Sequence, residues 1–179
     1  MNIYNTKQSF GLIAILFHWF IAFLVIGLLS VGFYMHNLPQ SLFKTQIVGF
    51  HKSIGILVLT LTVCRLLWRL VSVIPSLASL PLWEKLSAKL MHWLLYLGTL
   101  CMPLSGWLMT SSAGRPLLFF NTFTVPSLVE TNSFYRHFFR ACHHWLAYGL
   151  LFLISVHTLA ALKHHFFNRD TILKRMLKG

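Results

Sequence analysis

Two histidines in one long apolar segment near the end of the chain are the residues with the clearest capacity for metal chemistry. The segment covers residues 141–162, contains no Lys, Arg, Asp or Glu, and carries His143 near one end and His157 near the other. A spacing of 14 residues is about four helical turns, so both rings project from nearly the same face, roughly 20 Å apart along the axis. Because a histidine inside a membrane is costly and usually marks a function or a buried partner, this spacing indicates two stacked metal or cofactor sites.

The composition is that of an integral membrane protein. Of the 179 residues, 56% are hydrophobic and only 10% are charged, whereas about 25% of an average soluble domain is charged. Since about 20 apolar residues suffice for a helix to cross the bilayer, we predict an all-α fold, a four-helix transmembrane bundle that forms one domain over residues 1–179. The predicted spans cover residues 10–35, 46–70, 90–112 and 141–162.

The net charge of +12 bears on topology rather than on nucleic-acid binding. The 15 Lys and Arg residues mostly flank apolar segments, as basic residues do beside membrane spans, so no nucleic-acid partner is predicted. With the N-terminus inside, ten of them lie on the inner side and five on the outer side, which predicts that both termini are cytoplasmic. The outer five are Lys44, Lys52, Arg115, Arg136 and Arg140.

Alternate spans cross the membrane in opposite directions, and this assigns each histidine to a side. His18 in the first span and His157 share the cytoplasmic side, while His51 in the second span and His143 share the outer side. Two histidines at one depth on different helices can clamp a planar metal-containing ring from both faces. Haem is the natural ring, because iron takes imidazole as an axial ligand and two axial histidines favour electron transfer over oxygen activation.

Other histidines leave alternatives open. His92 begins the third span on the inner side, so it competes with His18 as the partner of His157, or it serves a quinone. His144 adjoins His143, which leaves an ambiguity of one residue. Histidines near the ends of membrane helices are often interfacial or hydrogen-bonded, and that interpretation applies to His36, His137, His144, His164 and His165.

Four segments carry a specific pattern in their order and spacing. They are His18-Trp19, His51-Lys-Ser-Ile-Gly55 with Arg65-Leu-Leu-Trp-Arg69, His92-Trp-Leu-Leu-Tyr96 with Pro103-Leu-Ser-Gly-Trp107, and His143-His-Trp145 with the segment from His157 to Phe166. This pattern resembles the bacterial cytochrome b561 family of di-haem membrane proteins over nearly the whole chain. The resemblance implies a multi-pass protein of the bacterial inner membrane, in contact with membrane lipid, that holds two non-covalent b-type haems.

The resemblance also implies ligands and an activity. Matched residue by residue, His18 and His157 are the axial ligands of a cytoplasmic-side haem b, and His51 and His143 those of a periplasmic-side haem b. The implied reaction takes electrons from superoxide or another periplasmic donor to ubiquinone, as in an electron-transfer oxidoreductase of the superoxide:quinone type.

Two other functions remain open from the sequence. The first is a haem-b, quinone-reactive subunit of a larger dehydrogenase. The second, from a different class, is a haem-free membrane transporter, which would lack carboxylates inside the membrane to relay protons or cations. The five outer basic residues would either attract an anion such as superoxide, or anchor the helices and bind haem propionates.

Overall fold

Four long α-helices dominate the computed structural model, which describes residues 2–76 and 80–178. A small antiparallel hairpin between the third and fourth helices is the exception to the predicted all-α fold, and a π-helical turn at residues 164–168 continues the fourth helix. The elements are α1 (Leu12–His36), α2 (Leu42–Val71), α3 (Leu82–Ser112), β1 (Leu117–Phe119), β2 (Phe123–Val125), α4 (Ser133–Lys163) and α5 (Ile172–Leu177).

α2 and α4 start before the predicted spans because side-chain caps lie upstream of their apolar segments. The Ser41 side chain accepts a hydrogen bond from the Lys44 backbone N–H and starts α2 at residue 42 rather than 46. Asn132 accepts one from the Tyr135 N–H, so α4 starts eight residues before the predicted span at 141. α3 starts directly after Pro81, eight residues before the predicted span at 90.

Three helices have the length and composition of membrane spans within the described residues. They are α1, α2, and α4 together with its π-helical continuation. α3 is equally long, but His92, Pro103 and Ser105 interrupt its apolar sequence, and it does not meet the same hydropathy requirement. Many large apolar side chains on all four long helices are exposed, which is typical of a surface that faces lipid.

The buried core lies in the middle of the bundle. Ile21, Val25 and Leu29 of α1 pack with Val58 of α2 and Leu150 of α4. On α1 and α4 these residues lie between a histidine near one end and a histidine near the other, and on α2 Val58 lies between His51 and Arg65. The apolar core therefore separates two levels at which histidines gather.

The hairpin covers the end of the bundle at which α2 begins. Ser53, which is 2% exposed, donates a hydrogen bond from its hydroxyl to the Leu118 carbonyl at 3.0 Å. The same hydroxyl accepts one from the Phe120 N–H at 2.9 Å. These two bonds attach the hairpin two residues along the helix from His51.

The C-terminal segment packs against the opposite end. The Trp19 indole N–H donates to the Met176 carbonyl at 2.8 Å, which ties α5 to α1 next to His18. Lys163 forms an ion pair with Glu84 at 2.9 Å, and this links the end of α4 to the start of α3. The end of the bundle that contains His18 and His157 is therefore covered by α5 and by the first turns of α3.

Candidate functional site

The structure brings the four predicted ligands together as two pairs. The rings of His51 on α2 and His143 on α4 have centroids 6.3 Å apart and planes inclined at 77°. The rings of His18 on α1 and His157 on α4 also have centroids 6.3 Å apart, with planes inclined at 66°. We call the pair of His51 and His143 the outer layer and the pair of His18 and His157 the inner layer, after the sides of the membrane that the sequence predicts for them.

The ring separation suits one metal ion between the two imidazoles of each layer. A metal–imidazole nitrogen bond is about 2 Å long, so two rings on opposite sides of one metal have centroids roughly 6 Å apart. Both layers show this separation, and imidazole pairs are the donor set that holds haem iron in electron-transfer proteins. The residues present therefore fit a bis-histidine haem in each layer.

In the outer layer, His143 already has the tautomer that a metal ligand needs. Its Nδ1 lies 3.1 Å from the Met102 carbonyl oxygen and 3.0 Å from the Ser105 hydroxyl. The Ser105 hydroxyl itself donates to the Met102 carbonyl. Because a carbonyl only accepts, Nδ1 must carry the proton, which leaves Nε2 of His143 free to bind a metal.

Glycines on the neighbouring helices lie against both rings of the outer layer. A Cβ placed on Gly32 of α1 would lie 3.5 Å from Cε1 of His51, and one on Gly106 of α3 would lie 3.1 Å from Cε1 of His143. Nδ1 of His51 is buried and has no hydrogen-bond partner within the described residues. The ring of His143 is thus packed more closely against its neighbouring helix than the ring of His51.

In the inner layer, Arg65 donates a hydrogen bond to Nδ1 of His18. This is the nitrogen that carries the proton when a histidine binds a metal through Nε2. The guanidinium Nη2 of Arg65 lies 3.0 Å from Nδ1 of His18. A guanidinium only donates, so Nδ1 accepts and the neutral ring carries its proton on Nε2. Binding of a metal through Nε2 therefore requires Arg65 to release His18.

Arg65 and Arg69 both pack against Tyr96 of α3. Both guanidinium groups lie over the ring of Tyr96, at 5.5 and 5.6 Å from its centroid. No carboxylate of the described residues pairs with either arginine. The inner layer therefore contains two inward-facing cations with no acidic partner in that part of the chain.

His92 and His144 occupy separate positions beside the layers. The ring centroid of His92 is 5.8 Å from that of His157, so His157 faces both His18 and His92. His144 turns away from His51 and faces His36, with ring centroids 6.0 Å apart. The geometry thus keeps His92 as a competitor in the inner layer and removes His144 from the outer layer.

Sequence reasoning missed the residues that act on the histidines. Arg65 on His18, and Met102 and Ser105 on His143, lie far from their partners along the chain. The only signal for Arg65 is a basic residue inside an apolar segment without a nearby acid. A serine or a methionine carbonyl on a membrane helix gives no signal, because both have an ordinary role in helix packing.

Comparisons with known proteins agree with this architecture. A profile of the family described as prokaryotic cytochrome b561 matches residues 9–179. Cytochrome b561 homolog 2 of Escherichia coli (strain K12) is 36% identical over 179 residues, which are 99% of this chain and 95% of that protein. Cytochrome b561 homolog 1 of the same organism is 34% identical over 128 residues, which are 71% of this chain and 72% of that protein.

A further relative has a more specific name. The probable superoxide oxidase CybB of Yersinia pestis is 28% identical over 171 residues, which are 95% of this chain and 96% of that protein. The profile and the relatives cover nearly the whole chain, and the family is one of membrane haem proteins in electron transport. The chain belongs to the prokaryotic cytochrome b561 family.

Proposed function

We propose that the protein is a di-haem b cytochrome of the bacterial inner membrane that passes electrons from a periplasmic donor, superoxide or another, to ubiquinone. His18 and His157 bind the cytoplasmic-side haem, and His51 and His143 bind the periplasmic-side haem. Bound in this way, the two haems supply one-electron redox chemistry. The observation that carries the proposal is the equal ring separation of 6.3 Å in two layers, each built from two different helices.

The proposal includes a four-helix transmembrane bundle with both termini cytoplasmic and residues 1–179 in one domain. α3 is the helix whose composition supports a span least, but it reaches both layers. His92 contacts the inner layer, and Ser105 contacts the outer layer 13 residues later, which is about 20 Å along a helix. Since α3 covers the same depth as α4, we include it as the fourth crossing.

An anionic donor is supported by the charges near the outer layer. Lys52 follows His51 directly in the chain, and Arg115 lies close enough for the two positive charges to interact. Two superoxide ions each give up one electron and leave as dioxygen, and one ubiquinone takes up these two electrons together with two protons. If these charges attract superoxide, the rate of its consumption should fall as ionic strength rises. A rate that is independent of salt would contradict the attraction but not the electron transfer.

The test of the proposed cofactors is haem quantitation on the purified full-length protein. We expect a reducible b-type spectrum with two haems per chain. We also expect quinone reduction when superoxide is generated on the outer side of proteoliposomes. A colourless protein that remains active would overturn the proposal in favour of a transporter, and stable co-purification with a larger enzyme would favour a dehydrogenase subunit.

A further inference from the structure

A third pair of histidines lies at the outer end of the bundle, apart from both layers. His36 is the last residue of α1, and His144 follows His143 on α4. Their ring centroids are 6.0 Å apart, which is close to the separation within each layer. Both histidines are exposed, whereas the apolar core residues Leu29 of α1 and Leu150 of α4 are buried. The pair is therefore accessible from outside the bundle.

The depth of the pair follows from the end of α1. Because the helix stops at His36, this ring lies where the chain leaves the apolar region, and His144 lies at the same level. A helix C-terminus also carries a partial negative charge that favours a cation nearby. A metal ion from the aqueous phase can thus reach this position without crossing the apolar part of the bilayer.

Both rings have nitrogen atoms available for a ligand. In the part of the chain that the structure describes, neither imidazole makes a hydrogen bond to another protein group. The contacts of His144 are with the aromatic rings of Trp145 and Tyr148, at centroid distances of 5.7 and 5.1 Å. These contacts orient the ring and leave its nitrogen atoms unpaired.

We propose that His36 and His144 form a surface site for a divalent first-row metal ion, Cu²⁺ or Zn²⁺, at the outer end of the bundle. Imidazole is the commonest protein ligand for such ions, and Cu²⁺ and Zn²⁺ lie at the high-affinity end of the divalent series. Two imidazoles and water complete the coordination. The ordinary alternative is that both histidines belong to the aromatic interfacial belt and bind no metal.

The experiment titrates the oxidised, full-length protein in detergent with Cu²⁺ and follows bound copper by its paramagnetic resonance and by elemental analysis. The wild type should bind one Cu²⁺ per chain with nitrogen ligands, and Zn²⁺ should displace it. His36→Ala and His144→Ala should each weaken binding by on the order of 100-fold. His137→Ala is the matched control, because His137 is an exposed histidine two turns earlier on the same helix.

Haem content of each variant reports separately on folding. If His144→Ala disturbs the adjacent His143 and haem is lost, the copper site is judged from His36→Ala alone. His36 ends α1 and has no part in either layer. Wild-type copper binding in His36→Ala, or an equal loss in His137→Ala, would overturn the site. Either result would assign the pair to the interfacial belt.

Discussion

The outer and inner layers contain the same pair of residue types at the same separation, but different groups act on their histidines. In the outer layer, a backbone carbonyl holds the proton of His143 on Nδ1 and leaves Nε2 free. In the inner layer, Arg65 donates to Nδ1 of His18, and Arg69 lies one turn further along the same helix. The outer layer is therefore preorganised for a metal, whereas the inner layer must rearrange to accept one.

This difference has a consequence for the direction of electron flow. A positive charge stabilises a redox centre in its more negative, reduced state, and the effect is strong where the surroundings are apolar. Arg65 and Arg69 lie next to the inner layer with no acidic partner in the described chain. Lys52 and Arg115 add positive charge near the outer layer, but Arg65 contacts a histidine ring directly, at 3.0 Å from Nδ1 of His18. We therefore predict a higher midpoint potential for the proposed inner haem than for the proposed outer one, which would favour electron transfer from the outer to the inner layer.

The largest effect should come from removing a ligand of one layer only. His157→Ala should lower the haem-to-chain ratio by about half if, as we propose, each layer binds its own haem through two histidines. His143→Ala should cause an equal loss but remove the other, lower-potential component. The measurement is haem quantitation combined with a redox titration. Loss of both haems in either variant would mean that the layers are not independent.

A smaller effect should follow from crowding the outer layer. Gly106→Ala would place a Cβ 3.1 Å from His143, so the ring must shift, at a cost of about 1–3 kcal/mol. We expect weaker retention of the outer haem in detergent, while the inner haem is unchanged. Gly149→Ala on α4 is the control, because its Cβ would meet nothing within 4 Å. Equal behaviour of the two variants would show that close packing of His143 is unimportant.

Removing the cation from the inner layer should shift a potential without removing a haem. Arg65→Ala should lower the midpoint potential of the inner haem by roughly 60 mV, a tenfold change in the equilibrium constant of a one-electron couple. Arg65→Lys keeps the charge and should stay closer to the wild type. The outer haem is the internal reference in the same redox titration. An equal shift of both haems would contradict a local role of Arg65.

The smallest effect is expected at His92, which competes with His18 for His157. His92→Ala should retain both haems, since the ligands that we propose for each layer lie on other helices. The inner spectrum should change less than in His18→Ala, which removes a ligand outright. If His92→Ala loses the inner haem and His18→Ala does not, the inner pair must be reassigned to His92 and His157.

Several features of the fold could be predicted from the sequence because they depend on composition and local spacing. Apolar segments longer than a bilayer requires give the long helices, and 14 residues between His143 and His157 place both on one helical face. The predicted starts of α2 and α4 lie four and eight residues too far along the chain, because the side-chain caps at Ser41 and Asn132 lie in polar sequence outside the apolar segments. The hairpin was missed because its strands are only three residues long.

The sequence by itself determined the class of the protein, its long apolar helices and the spacing of histidines along each of them, since these follow from hydropathy and from the rise of a helix. Only the tertiary structure decided that Arg65 turns inward onto His18 and that His144 faces His36 rather than His51. The physical reason is that the rotation of each helix about its axis depends on how all its neighbours pack. Residues far apart in the chain, such as Met102 and His143, meet only after that packing is complete.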